Sequence, residues 1–167
     1  MRRVIAVSFF VCAFALGSNA QTGCNKTWLL GQRTVTGSVN WEEFTDPLAK
    51  LFESHYVQLP SDVTKQFPMR FTIGNRYTVL YYTEATALAS GIEIYDPRGV
   101  RLEFEKVYGK QRNNAIELTI EPAYSGTYTL AVRSIYPNDK TTCAALLVRE
   151  WDDVEWEERL ELLGLEE

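Results

Sequence analysis

Residues 21–149 predict an all-β domain, an antiparallel β-sandwich of jelly-roll-like form, with a short N-terminal helical insertion and an acidic C-terminal helix after it. Three observations predict it. Short runs alternate apolar and polar residues with period two, which is the pattern of a strand with one face in a core and one in water. Clusters of Gly, Pro, Asn and Asp separate these runs at near-regular intervals. One run, Arg-Tyr-Thr-Val-Leu-Tyr-Tyr-Thr at 76–83, is apolar on both faces, as a central strand with both sides covered should be.

Taken in order, residues 1–20 read as a secretory signal peptide. Arg2 and Arg3 precede an apolar run at 4–16, and small residues precede a cut after Ala20. Residues 34–40 suit a short first strand. Phe44, Leu48, Leu51 and Phe52 then recur at helical spacing around Pro47, with Asp46 placed to cap, so 41–54 predicts a helix or helical insertion. Residues 55–59 and 69–73 follow as strands, divided by Pro60-Ser61-Asp62. After the 76–83 strand come a strand at 91–95, the turn Asp96-Pro97-Arg98-Gly99, and a partner strand at 100–105. In that partner Val100, Leu102 and Phe104 alternate with charges. A polar loop at 109–114 leads to a strand at 116–120, and a turn at 121–126 leads to a strand through Arg133. In the turn Pro122 fixes its φ and Gly126 is free to take a positive one. A last strand at 142–148 carries Cys143.

Removal of residues 1–20 takes Cys12 with it and leaves Cys24 and Cys143, which predict one disulfide in an oxidising compartment. The competing reading makes Cys24 a lipid attachment site, since Thr22 and Gly23 are small, although Gln21 stands where an aliphatic residue is expected. Asn25-Lys26-Thr27 fits the N-glycosylation pattern. The predicted location is therefore secreted or periplasmic.

Charge is distributed unevenly. Residues 21–149 hold 14 Lys and Arg against 13 Asp and Glu, a net of +1, whereas residues 150–167 hold nine acids against Arg159 alone, a net of −8. A neutral body and an acidic tail offer no basic footprint for nucleic acid or an anionic membrane. In the tail Trp156, Leu160 and Leu163 fall at i, i+4 and i+7, with Trp151 and Val154 close by. These five are the candidate partner-binding residues, and the helix either folds back on its own sandwich or docks into a partner.

Two stretches, Ile94-Tyr95-Asp96-Pro97-Arg98-Gly99 and Ser125-Gly126-Thr127-Tyr128-Thr129-Leu130-Ala131-Val132, resemble the bacterial pre-peptidase C-terminal domain. The resemblance covers about Met69 to Val148. It implies a small jelly-roll-like sandwich found beside secreted proteases and in other exported proteins. No calcium site is carried over, because Asp62 stands without an Asp-x-Asp cluster.

His55 is the one histidine, too little for a nucleophilic triad or a histidine metal site, so no catalytic residue, metal or cofactor is expected. Glu103, Glu105, Glu117 and Glu121 read as the solvated face of alternating strands rather than as a paired-carboxylate site. Trp28, Trp41, Tyr124 and Tyr136 fall in loops and are the candidates for stacking on a sugar. The expected function is that of a non-catalytic exported accessory or protein-interaction module of a cell envelope or secreted complex. A carbohydrate-binding module is the alternative, and a small secreted hydrolase the second.

Overall fold

The computed structural model describes residues 23–31, 44, 51–84, 86–108 and 115–163. The predicted signal peptide, the strand at 34–40, Trp41, most of the helical insertion and the polar loop at 109–114 lie outside the described residues. Among the described residues, helix α1 (Lys26–Gly31) is followed by eight strands: β1 (Leu51–Pro60), β2 (Lys65–Phe71), β3 (Arg76–Thr83), β4 (Ala89–Tyr95), β5 (Arg101–Tyr108), β6 (Ala115–Ile120), β7 (Gly126–Ile135) and β8 (Thr141–Trp151). Helix α2 (Asp153–Leu163) follows.

The strands form two four-stranded antiparallel sheets, β1-β8-β3-β6 and β2-β7-β4-β5. This is the order of a jelly roll, in which each sheet takes alternate members of successive long-range hairpins. The main core lies between them. Tyr77, Val79 and Tyr81 of β3 meet Ile92 and Ile94 of β4, Tyr128, Leu130 and Val132 of β7, and Ala144, Leu146 and Val148 of β8.

A second core covers the outer face of the first sheet. Leu80 and Tyr82 of β3, with Ala145 and Leu147 of β8, are buried there beneath Leu29 of α1 and Phe44. The Trp28 ring tilts against Tyr82 at 5.9 Å. The predicted disulfide, Cys24–Cys143, joins α1 to β8 across 119 residues of sequence. Its formation belongs to an oxidising compartment. Among the described residues no helix is long and apolar enough to cross a membrane.

Three elements depart from expectation. Residues 51–54, read as the end of a helix, begin β1, which pairs with β8 from Leu51 onward. A register shift between Leu51 and Glu53 makes Phe52 a bulge residue, and its ring turns onto Tyr77 at 5.4 Å. Strand β2 starts at Lys65 and runs through Pro68, which β2 tolerates because it pairs with β7 alone and is an edge. Strand β8 extends through Trp151, so the tail helix starts at Asp153 rather than near 150.

Both open sides of the sandwich carry acids on the core side of an edge strand, Glu103 and Glu105 exposed and Glu53 half-buried. Glu53 on β1 lies opposite Val148, and Glu103 and Glu105 on β5 lie opposite Ile94 and Ile92, all core-facing partners. A shift between Ile94 and Tyr95 makes Leu102 a bulge residue, which moves the strand out of the phase that its alternation implies. Charges at such positions keep another strand from adding to an edge. His55, also on β1, has its Nε2 2.9 Å from Glu53 Oε1 and its ring 4.7 Å from Phe67.

Candidate functional site: the loop end of the sandwich

At one end of the sandwich the connections β2–β3, β4–β5 and β6–β7 meet the step from β8 into α2. Each is built from local chemistry. In the β4–β5 turn, Asp96 is buried and its Oδ1 accepts from the amides of Arg98 (2.9 Å) and Val100 (2.8 Å). Its Oδ2 accepts from Arg98 Nε at 3.0 Å. Burial alone would push the Asp96 carboxyl up, but these hydrogen bonds and the Arg98 charge outweigh it and hold the group below the ordinary carboxylate range. Gly99 closes the turn with φ +79°, a conformation that suits glycine.

The turn into β7 is a tyrosine corner: Tyr128 Oη donates to the carbonyl of Tyr124 at 2.9 Å. Gly126 does not use a positive φ here. It is needed because a β-carbon would lie 2.7 Å from Pro97 Cγ, so the two turns pack directly on each other. Ser125 Oγ accepts from the Ile73 amide at 2.9 Å, which ties in the β2–β3 loop. Tyr77 Oη accepts from the Thr72 amide at 3.1 Å and donates to Glu150 Oε1 at 2.9 Å. Arg76 pairs with Glu121 at 2.8 Å and with Asp153 at 3.5 Å, joining the last two connections.

On this interlocked frame sit Ile73, Val100, Leu102 and Tyr124, all exposed large apolar residues. The Arg98 guanidinium lies over the Tyr124 ring at 4.5 Å. Loops fixed by a rigid scaffold are the usual place for recognition, and Tyr and Arg are enriched at protein interfaces.

The sequence-derived candidates are not brought together. Tyr124 is at this end and exposed. Tyr136 is at the opposite end and buried, which corrects its reading as a surface residue. Its amide donates to Ser61 Oγ at 3.0 Å, Ser61 donates back to its carbonyl at 3.2 Å, and the ring closes the end of the core. Burial pushes its phenol up. Close by, hydroxyls of Tyr81, Ser134, Ser90 and Thr83 are linked at 2.7–3.0 Å. Trp28 is half-buried in the second core, and Trp41 lies outside the described residues.

In the tail, Trp151 is not on the helix. It is a buried β8 residue whose indole Nε1 donates to Thr78 Oγ1 at 2.7 Å, which corrects its reading as a partner contact. Asp152 caps α2, accepting from the Glu155 amide at 2.8 Å. Trp156 is half-buried, edge-on to Trp151 at 6.0 Å and beneath Arg76 at 5.5 Å. The helix therefore folds back on its own sheet. Val154 points to solvent, Leu160 is half-buried, and the side chain of Leu163 lies outside the described residues.

The outer face of the second sheet holds a shallow groove of about 260 Å³ over Ala89, Gly91 and Ala131, walled by Glu93, Lys106 and Arg133. Of the described stacking candidates, Trp28, Tyr124 and Tyr136, none lines it. Among the described residues, no group of three or more His, Cys, Asp or Glu is placed to hold a metal ion.

Sequence reasoning missed Ile73, Arg98, Val100 and Leu102. Ile73 had a signal, since an apolar residue directly before Gly-Asn is as well placed in a loop as at a strand end.

No protein-family model matches the chain, and no curated protein matches it. Among solved structures it is similar to a periplasmic inhibitor of g-type lysozyme from Aeromonas hydrophila, with 10% identity and a TM-score of 0.44 over 59% of this chain and 85% of that one. It is also similar to a Bacillus licheniformis lipase in propeptide form, with 14% identity and a TM-score of 0.38 over 64% of this chain and 23% of that one. A de novo designed double-stranded β-helix gives 13% identity and a TM-score of 0.34, covering 59% and 99%. Identities and TM-scores this low carry no argument about function. The fold rests on strand order and register, and the site on its own geometry.

Proposed function

We propose that this chain is an exported accessory module, without catalysis of its own, that binds another protein through the loop end of its jelly roll. One observation carries the reading: four connections are held together by a hydrogen bond, ion pairs and close packing, yet the residues they hold outermost are Ile73, Val100 and Tyr124. A frame built only for stability would turn such residues inward, because burying them is worth about 1.5–3 kcal/mol each. The resemblance to the pre-peptidase C-terminal domain belongs to the same reading, since its two motifs are the two turns that support this end. The disulfide supports an oxidising compartment, periplasmic or secreted, for the module.

The test is affinity capture from the exported fraction of the source organism, comparing the wild-type chain with an Ile73→Asp/Tyr124→Ala variant of unchanged thermal stability. Retention of a defined protein by the wild type, reduced about tenfold or more in the variant, is expected. Equal retention by both, or binding of the wild type to a polysaccharide panel instead, overturns the reading.

A further inference from the structure

The core changes character at the end opposite the candidate site. The inward positions there are Tyr81 and Thr83 of β3, Ser90 of β4, Ser134 of β7 and Thr142 of β8, with Tyr136 just beyond β7, and all six are buried. A buried hydroxyl without a hydrogen-bond partner is costly, so a polar layer of this kind needs its protons and lone pairs matched. Four of the six are linked: Tyr81 Oη to Ser134 Oγ at 2.7 Å, Ser134 Oγ to Ser90 Oγ at 3.0 Å, and Ser90 Oγ to Thr83 Oγ1 at 2.9 Å. Four hydroxyls carry four protons and these three bonds use three, so one proton has to be placed outside the chain.

The other two hydroxyls stand beside that chain. Tyr136 Oη and Thr142 Oγ1 are sealed from solvent, and among the described residues neither has a hydrogen-bond partner. Neither side chain is loosely held. Ser61 binds the Tyr136 amide and carbonyl at 3.0 and 3.2 Å, and Thr142 is fixed on β8 opposite Leu59. Burial pushes the Tyr136 phenol up, and the hydroxyls of Thr142, Ser134 and Thr83 pull against it, so all three stand near its oxygen. Polar groups that converge on one point beyond hydrogen-bond reach of each other are the ordinary setting of a bridging water.

We propose that Tyr136 Oη and Thr142 Oγ1, with the open end of the hydroxyl chain, bind one buried water molecule that joins the two sheets at this end. Water fits the set because it offers two donors and two acceptors, whereas an ion offers one kind of interaction to hydroxyls that need both. About three protein partners are usual for such a water, and three hydroxyl sources converge here. Tyr81, Thr83 and Thr142 belong to the first sheet, and Ser90 and Ser134 to the second. The bridged layer therefore pins one sheet to the other where the apolar core ends. It is independent of the protein contact proposed at the loop end.

The experiment measures water-17O magnetic relaxation dispersion on the full disulfide-bonded chain, which counts internal waters held longer than the protein takes to tumble. The variant is Tyr136→Phe/Thr142→Val, which removes both hydroxyls and keeps the ring and the branched shape. Loss of one long-lived water relative to wild type is expected, with cooperative thermal unfolding verifying that the variant is folded. The two single variants should lower the melting temperature by more in sum than the double variant does, because each leaves the water with a missing partner and the double variant expels it. A crystal structure of the wild-type chain gives the answer without any substitution: a water within about 3 Å of both oxygens is expected. Equal dispersion in the wild-type and double-variant chains overturns the inference. So does a crystal structure in which Tyr136 Oη and Thr142 Oγ1 bond directly to each other.

Discussion

The two outer faces of this sandwich are treated in opposite ways. On the first sheet the outward residues of the central strands are Thr78, Leu80, Tyr82, Ala145 and Leu147, all buried beneath α1, Phe44 and, at the other end, Trp151. On the second sheet the outward residues are Gly91, Glu93, Ala131 and Arg133, and the described helices pack elsewhere. Strand composition records the difference. Strands β3 and β8 are apolar on both sides, whereas β2 and β7 alternate. A sheet whose central strands have no polar face needs a cover, and among the described residues α1 and Phe44 supply most of it, with α2 touching the far end through Trp156.

The sharpest way to break that comparison is to release the cover. Replacing Cys24 by Ser removes the cross-link that holds α1 to β8. The chain-entropy account gives about 4 to 5 kcal/mol for a loop of this length, an upper figure. A large fall in the denaturant midpoint is expected, together with greater protease access to α1 than to β7. A midpoint unchanged from wild type would show that the second core holds without the staple.

Next in size is a matched pair of substitutions. Leu147→Ala, fully buried in the second core, should cost about 2 to 5 kcal/mol. Thr129→Ala, on the outward face of β7 and half-exposed, should stay within about 0.5 kcal/mol. Equal effects in urea denaturation would mean that the two faces are not energetically distinct.

Truncation after Trp151 tests the far end of the cover. It removes the edge-on contact of Trp156 with Trp151 and the Arg76–Trp156 contact, and leaves the buried Trp151 in place. Such contacts together are worth about 1 to 2 kcal/mol. A loss of that order in thermal unfolding fits a helix docked on its own sheet, and no loss would return α2 to the role of a partner-binding segment.

How much of this was legible follows the same division. The two-faced apolar pattern of residues 76–83 placed β3 at the centre of a sheet, where it lies between β8 and β6. Asp96, Pro97 and Gly99 announced their turn, because each has a specific backbone role there. The disulfide followed from compartment and count. What escaped had physical causes. Phe44, Leu48, Leu51 and Phe52 share a helical period, but Leu51 and Phe52 belong to β1, and a bulge at Phe52 hides the alternation that would have shown that strand, whereas Phe44 itself is helical. The second bulge, at Leu102, moved β5 out of phase, so Val100 and Leu102 looked like core and are exposed. Tyr136 and Trp151 were misplaced because loop position and proximity to a helical tail say nothing of which way a ring turns. The loop end was invisible for a related reason: it is assembled from four connections far apart in sequence, and periodicity carries no information about such meetings.

The smallest effect at neutral pH concerns the covered face alone. Burial, assisted by the charge of Glu84 and the phenol of Tyr136, pushes the Tyr82 phenol up to about 12. In the unfolded chain the same group titrates near its ordinary value of about 10. Native protein therefore keeps a proton that the unfolded chain gives up, and stability falls as pH rises from about 10 toward 12. Below that window the group contributes its full share. Tyr81, buried between the sheets, is displaced in the same direction, so some alkaline sensitivity persists without Tyr82. Tyr82→Phe should change stability at neutral pH by no more than about 1 kcal/mol, since it removes a hydroxyl and keeps the ring against Trp28. It should also flatten the alkaline limb of the stability–pH profile measured by urea unfolding. A limb of unchanged slope would mean that the phenol reaches water, and that the cover over the first sheet is looser at Tyr82 than its packing against Leu80 and Leu147 requires.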